Sequence, residues 1–288
     1  HFDDVGQFTR GRLNDWDVMN EPYSEHEIQD ILGDEVMADW FKRARVNDRD
    51  VKLYINDYSI ISAGGKNTVH QDYYYDVIEF IEENGGPIDG IGLQGHMSSE
   101  MTPITKVYEI LERFAALGKE IKITEHDINI DQRGVQADYT RDFMTILFSH
   151  SSVKSLLVWG FWENRHWRPE AAFFNADWTI RPHGEMWNDM IYTQWWTPAS
   201  SLTTDALGAA SQDGFLGTYK YIVTSGEVER TGTFVIDNSH KSGIENTVVI
   251  SLDETFPDAV VISSSIKGYL CEGEETTLSA SLGDGLSY

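Results

Sequence analysis

The run Asp15-Trp16-Asp17-Val18-Met19-Asn20-Glu21-Pro22 decides how the chain is read. Its centre is apolar and short enough for a buried strand, and it breaks off into an amide, a carboxylate and a proline. Proline has no N–H for a sheet ladder, so Pro22 closes the strand and opens a loop. Four more runs end in the same manner. Residues 51–55 lead into Asn56-Asp57-Tyr58, 88–93 into Gln94-Gly95-His96, and 120–124 into Glu125-His126-Asp127; 155–161 runs into the tryptophan-rich stretch 159–167.

Amphipathic helical patterns lie between these runs. Met37, Trp40, Phe41 and Ala44 follow the i, i+3, i+4, i+7 rule, and Tyr73, Val77 and Ile81 are four apart. Ile104, Val107, Leu111 and Phe114 form a third face, with Thr102 expected as N-cap, Pro103 at the first helical position and Gly118 past the end. Tyr139, Phe143, Ile146 and Leu147 mark a fourth. Strands alternating with helices of this length imply βαβ units and a parallel sheet. No Gly-rich phosphate loop follows the first strand, which excludes a dinucleotide site there. Polar groups gathered where successive strands end are instead the habit of a (β/α)8 barrel, although only five strands are legible and closure needs eight.

Composition narrows the partners. The formal charge of −25 argues against nucleic acid or an anionic membrane, both of which require basic surface. A neutral polymer such as polysaccharide is compatible with it. No apolar stretch approaches the length of a membrane span. Cys271 is the only cysteine, so no internal disulfide is possible. The 9 Trp, 13 Tyr and 13 Phe are read chiefly as core. No metal or cofactor is called for.

With 47 acidic residues, most carboxylates are solvated surface groups, and position must single out the exceptions. Glu21 and Glu125 each end a strand at the same rim of one parallel sheet. Glycoside hydrolysis needs two carboxyl groups facing across a sugar, one to protonate the leaving oxygen and one to attack the anomeric carbon. Period two along a strand sets Glu125 and Asp127 on one side, as it does Gln94 and His96, and turns His126 toward the helices. Trp159, Trp162 and Trp167 either stack on pyranose faces or cap the core; Trp167, between His166 and Arg168, favours the sugar.

At this point the chain resembles the family-ten glycoside hydrolases, the endo-1,4-β-xylanases. The resemblance rests on Trp16-Asp17-Val18-Met19-Asn20-Glu21-Pro22, Leu53-Tyr54-Ile55-Asn56-Asp57-Tyr58, the run from Ile88 to His96 (Ile-Asp-Gly-Ile-Gly-Leu-Gln-Gly-His), Ile123-Thr124-Glu125-His126-Asp127-Ile128, and Val158-Trp159-Gly160-Phe161-Trp162 with His166-Trp167-Arg168-Pro169. It implies that Glu21 is the acid/base and Glu125 the nucleophile of a retaining double displacement. It further implies substrate-binding roles for Asn20, Tyr58, Gln94, His96, Trp159, Trp167 and Arg168, with Asp127 orienting His96. The partner implied is xylan or a xylo-oligosaccharide, met by a secreted enzyme that is monomeric within a larger multidomain chain. A related retaining barrel glycosidase for β-glucan or mannan shares both glutamate roles.

The chain departs from the family at three places. His126 stands where an apolar residue is usual, and Ser59 replaces the Asn that usually follows Asn-Asp-Tyr. The first three strands of the barrel have no counterpart, because His1 falls just before the fourth. The expected fold is therefore an α/β, incomplete (β/α)8 TIM barrel of strands 4 to 8 over 1–197, then a linker at 198–213. A small β module follows at 214–254, where Tyr219, Tyr221 and Val223 alternate before a Ser225-Gly226 turn. The stretch 255–288, holding Cys271, resembles the opening of an immunoglobulin-like module cut short. As an alternative to the xylanase reading, the missing strands would leave the isolated chain an inactive or xylan-binding fragment of its parent enzyme.

Overall fold

The computed structural model describes residues 2–237 and 248–250, and the backbone of 263–264 and 278–279. Two compact units divide between Trp187 and Asn188. In the first, chain order is α1 (Phe2–Thr9), β1 (Asp15–Asn20), α2 (Glu27–Leu32), α3 (Glu35–Asn47), β2 (Lys52–Asp57), α4 (Thr68–Glu83), β3 (Gly90–Leu93) and β4 (His96–Met97), followed by α5 (Ile104–Ala115), β5 (Glu120–Ile128), α6 (Arg133–Ser149), β6 (Val153–Val158) and α7 (Pro182–Asp189). The six strands form one parallel sheet in which β1, β2, β3 and β5 are successive neighbours, with β4 and β6 both pairing β5. β1 has no second neighbour among the described strands, so this is an incomplete barrel.

Five of the strands are those legible in the sequence. The sixth, β4, arises because Gly95 adopts φ 83, turning the chain by one residue between Gln94 and His96. A side chain at Gly95 would be strained by that backbone and would press on Ile123.

Alternation separates the two faces of the sheet. Leu53, Ile55, Ile91, Leu93, Ile121 and Ile123 are fully buried and share one core with Phe41, Ile78, Leu111, Phe114 and Phe143 of the helices. Burying each such side chain contributes about 1.5–3 kcal/mol. The opposite face carries Tyr54, Asn56 and Lys122, which point where a barrel has its interior. Gly90 lies beside Tyr54 and Gly92 beside Asn56 in the β2–β3 register. A Cβ on Gly90 would enter the Tyr54 ring, and one on Gly92 would meet Asn56 Oδ1. The two glycines are thus the room into which the larger side chains fold. Toward the strand N-termini this face is ionic: Lys122 pairs with Asp15, Lys52 with Glu120, and Tyr54 donates to Glu120 at 3.0 Å. These groups line a cavity of about 550 Å³.

One expected cap is not formed. Pro103, not Thr102, is the N-cap of α5, and its carbonyl accepts the first helical bond from Val107 at 2.9 Å. The Thr102 hydroxyl instead donates to Ile61 O at 2.8 Å, which ties the loop after β2 to the start of α5. Gly118 does lie past the helix end, at φ 71.

In the second unit, β7 (Gly217–Ser225) and β8 (Val228–Ile236) form an antiparallel hairpin through Gly226, at φ 58, and Glu227. Tyr219 and Phe234 stack across it at 5.1 Å. Residues 198–213 join no helix or strand. The immunoglobulin-like reading falls outside the described residues, apart from a two-residue antiparallel pairing of 263–264 with 278–279.

Candidate active site

Both strands that end in a candidate carboxylate carry one extra residue. Against β2, β1 advances from Asp17 to Met19 while its partner moves from Tyr54 to Ile55. Against β6, β5 advances from Ile123 to His126 while its partner moves from Leu156 to Val158. Such bulges re-aim side chains, and here the effect is decisive. Ile121 and Ile123 face the helices, so strict alternation would send Glu125 the same way. Instead Thr124 and Glu125 both reach Asn56 on the barrel side, and alternation resumes one residue late. His126 then points to the helices, stacking on Phe143 at 4.7 Å and donating from Nδ1 to Gly95 O. Burial holds His126 down at about 4, so it is neutral.

Glu21 sits just beyond its bulge with φ 55, a left-handed conformation unusual for a residue with a Cβ. Its N–H donates to Asn56 O at 2.9 Å, and its carbonyl accepts from Ser24 and Glu25. This turn presents the side chain at the strand ends, where Gln94 Nε2 donates to Glu21 Oε1 at 2.7 Å.

Asn56 is the hub of the site. Its Nδ2 donates to Asn20 Oδ1 at 2.8 Å and to Glu125 Oε1 at 3.0 Å, while its Oδ1 accepts from Thr124 Oγ1 at 2.7 Å. A carboxylate only accepts, so the amide is oriented without ambiguity. The other oxygen of Glu125 faces His96 Nε2 at 3.3 Å. His96 Nδ1 lies 3.0 Å from Asp127 Oδ2, which also accepts from Trp167 Nε1 at 2.7 Å. Burial works against a charge on His96, but its hydrogen bonds to Asp127 and Glu125 outweigh that and push it up to about 9. The imidazole is therefore a cation shared by two carboxylates, donating from both nitrogens.

Aromatic rings surround this core. Trp159 and Trp167 stand edge-on to His96, with centroids at 6.4 and 4.9 Å, and both are half exposed. Arg168 lies over the Trp167 ring at 4.0 Å. Tyr58 meets His70 edge-on at 4.7 Å; the other face of that imidazole is covered by Tyr23 at 3.9 Å. His70 Nε2 in turn meets Asp57 Oδ2 at 3.0 Å, both side chains being fully buried. Burial pushes the Asp57 carboxyl up, with the His70 hydrogen bond opposing. The sequence-expected residues Glu21, Glu125, Gln94, His96, Asp127, Trp159 and Trp167 are thus in one cluster. Asn20 joins it through Asn56, Arg168 through Trp167, and Tyr58 stands on its own buried base.

The family model for glycosyl hydrolase family 10 matches residues 1–187. The chain belongs to that family. It is 29% identical over 221 residues to an anti-sigma-I factor, RsgI6, of Acetivibrio thermocellus, covering 76% of this chain and 28% of that protein. It is 28% identical over 236 residues to endo-1,4-beta-xylanase 1 of Arabidopsis thaliana, covering 82% and 24%. The crystal structure of xylanase 10B from Thermotoga petrophila RKU-1 in complex with xylobiose superposes with TM-score 0.61 at 28% identity, over 67% of this chain and 64% of that one. The chain therefore spans about a quarter of the length of these curated relatives.

Within this family-10 chain, sequence reading passed over Asn56 and Thr124 as site residues. Both stand inside quoted motifs, and Asn56 is a lone amide two positions beyond Tyr54 on the strand. The glycines opposite it, at alternate positions 90 and 92, were the available sign that β2 carries something large on its inner face.

Proposed function

We propose that this chain carries the catalytic groups of an endo-1,4-β-xylanase that retains configuration. The observation that supports it most is the grip on Glu125: Asn56 and His96 each hold one oxygen, while among the described residues only Gln94 donates to the Glu21 carboxyl. A carboxylate fixed in its plane suits attack on an anomeric carbon, and a less tethered one suits moving a proton to and from two successive oxygens. In the first step Glu125 forms the bond to the anomeric carbon as the glycosidic C–O bond breaks, and the Glu21 proton goes to the leaving oxygen. In the second, water attacks that carbon, Glu21 takes the water proton, and Glu125 departs. The Asn20 Oδ1 accepts from Asn56, and the Asn20 amide NH2, which donates to no group among the described residues, is a donor for a sugar hydroxyl. The xylobiose complex of the Thermotoga relative makes a xylose polymer the favoured substrate. Proton NMR of early products from xylan tests this: β-anomeric ends are expected first, and α-anomeric ends would overturn it.

A second reading is favoured by the open sheet. Asp17 and Asn20, on the inner side of β1, are exposed, and β1 has an unpaired edge among the described strands. On that reading these residues alone bind xylan without turning it over. Retention of the chain on xylan with no reducing ends released supports it; brisk turnover by the same chain defeats it.

A further inference from the structure

The loop after β6 builds an aromatic surface that the catalytic groups do not use. Trp178 lies on Trp162 with centroids 5.0 Å apart and planes 10° from parallel. Phe161 and Phe174 lie tilted beside the indole at 6.3 and 6.0 Å, yet Trp178 keeps 56% of its surface exposed, and Phe161 is 52% exposed. Its indole N–H donates to no protein group among the described residues.

This exposure is built, not incidental. Trp178 has φ 68, which is a true outlier for a bulky side chain. The turn that holds it there is hydrogen-bonded throughout. Trp178 N donates to Asn175 O at 2.9 Å and Asn175 N to Thr179 O at 2.9 Å. Glu163 accepts from Ala176 N at 2.6 Å, and the buried Arg181 ties Glu163 to Asn175. Trp162 is fixed in turn by its own N–H to Ala176 O at 3.3 Å. A ring needed only to close the core would face inward. Backbone strain held by so many bonds points to a ring wanted on the surface.

We propose that the open face of Trp178, with Phe161 alongside, is a second saccharide-binding platform that stacks on a pyranose ring of a β-linked polysaccharide. An open flat ring with a free N–H suits a ring bearing hydroxyls, since one end is apolar and the other polar. The charge of −25 favours a neutral partner. The platform also continues the site already described: Phe161 follows Trp159 by two residues, and Trp159 stands edge-on to His96. It rests on the xylan reading only for the identity of the polymer; the platform itself requires a β-linked chain of neutral sugars.

The test is affinity electrophoresis of the full chain in gels containing xylan, mixed-linkage β-glucan or glucomannan, for the wild type, Trp178→Ala and Trp178→Phe. A parallel measurement follows the Trp178 indole N–H resonance during titration with xylohexaose, cellohexaose and mannohexaose. Retardation by xylan should weaken about three- to tenfold in Trp178→Ala, the factor that loss of one aromatic contact brings. Trp178→Phe, which keeps a flat face, should recover most of it. The same loss seen in β-glucan or glucomannan gels alone supports the platform and overturns the xylan assignment. Undiminished retardation of Trp178→Ala, or no retardation by any of the polymers, overturns the platform. An indole resonance unmoved by xylohexaose while that of Trp167 shifts overturns the xylan assignment; unmoved also by cellohexaose and mannohexaose, it overturns the platform, and that measurement needs no variant to fold.

Discussion

Replacing His96 by Gln removes a cation from between Glu125 and Asp127, and the structure says how the loss should depend on pH. The ordinary histidine value is 6.5, and in the folded chain His96 is held at about 9. Each tenfold change in proton affinity is worth about 1.4 kcal/mol, which would give about 3 kcal/mol. The imidazole and Glu125 are each 14% exposed, so solvent screening reduces this to about 2 kcal/mol. Below the ordinary value both the folded and the unfolded chain hold the proton, and the stabilisation is complete. Between there and about 9 only the folded chain holds it, so each rise in pH removes stability, and above about 9 the contribution is gone. Urea unfolding of wild type and His96→Gln, at pH values spaced from about 6 to 10, measures this directly. The gap between them should close by about 2 kcal/mol across that range. Groups common to both chains cancel in the difference. Two parallel stability curves would refute the shared-cation account and leave His96 a neutral spacer.

Four other substitutions test the frame of the site, one of them a control on α6. Asp17 is raised to about 6 by burial and by the nearby Asp15 and Glu125 carboxylates, against the pull of Lys122. Because it is open to solvent on one side, Asp17→Asn should stabilise the chain by only about 1 kcal/mol at neutral pH. That gain should fade on acidification, as pH falls from about 6 through the ordinary carboxylate value near 3.8, and thermal melts across that range check it. Gly92→Ala should cost about 1–3 kcal/mol and displace Asn56 from Glu125, whereas Gly134→Ala, in open space on α6, should gain about 0.5 kcal/mol; denaturant titration of both separates them. Ser59 has φ 55, so Ser59→Asn, which tolerates that backbone, should raise stability by about 0.5 kcal/mol in the same titration.

Much of this was legible because strands and helices obey different periods. The apolar members of β2, β3 and β5 alternate, and what breaks the alternation at each strand end is a polar group of the candidate site: Asn20-Glu21, Gln94-Gly95-His96, Glu125-His126-Asp127. The incomplete barrel could be read by counting those endings. β4 could not, since it depends on the φ of a single glycine. Nor could the two bulges, because an extra residue in a strand leaves no mark in hydropathy. Without them the rule of two would have buried Glu125 among the helices. Sequence reading placed it correctly relative to Asp127 but had no means of seeing why Thr124 faces the same way. Thr102 misled for a related reason. A hydroxyl before a proline suits a cap, and here the tertiary partner Ile61 claims it.

The left-handed backbone at Glu21 bears on how such a chain would drift over generations. Glycine or asparagine would occupy that position with less strain. Folding alone therefore argues against glutamate there, and the proposed proton-transfer role is what argues for it. In a lineage that kept this fold without any use for a carboxyl at that place, position 21 would be among the first to change, because its loss would make the protein more stable.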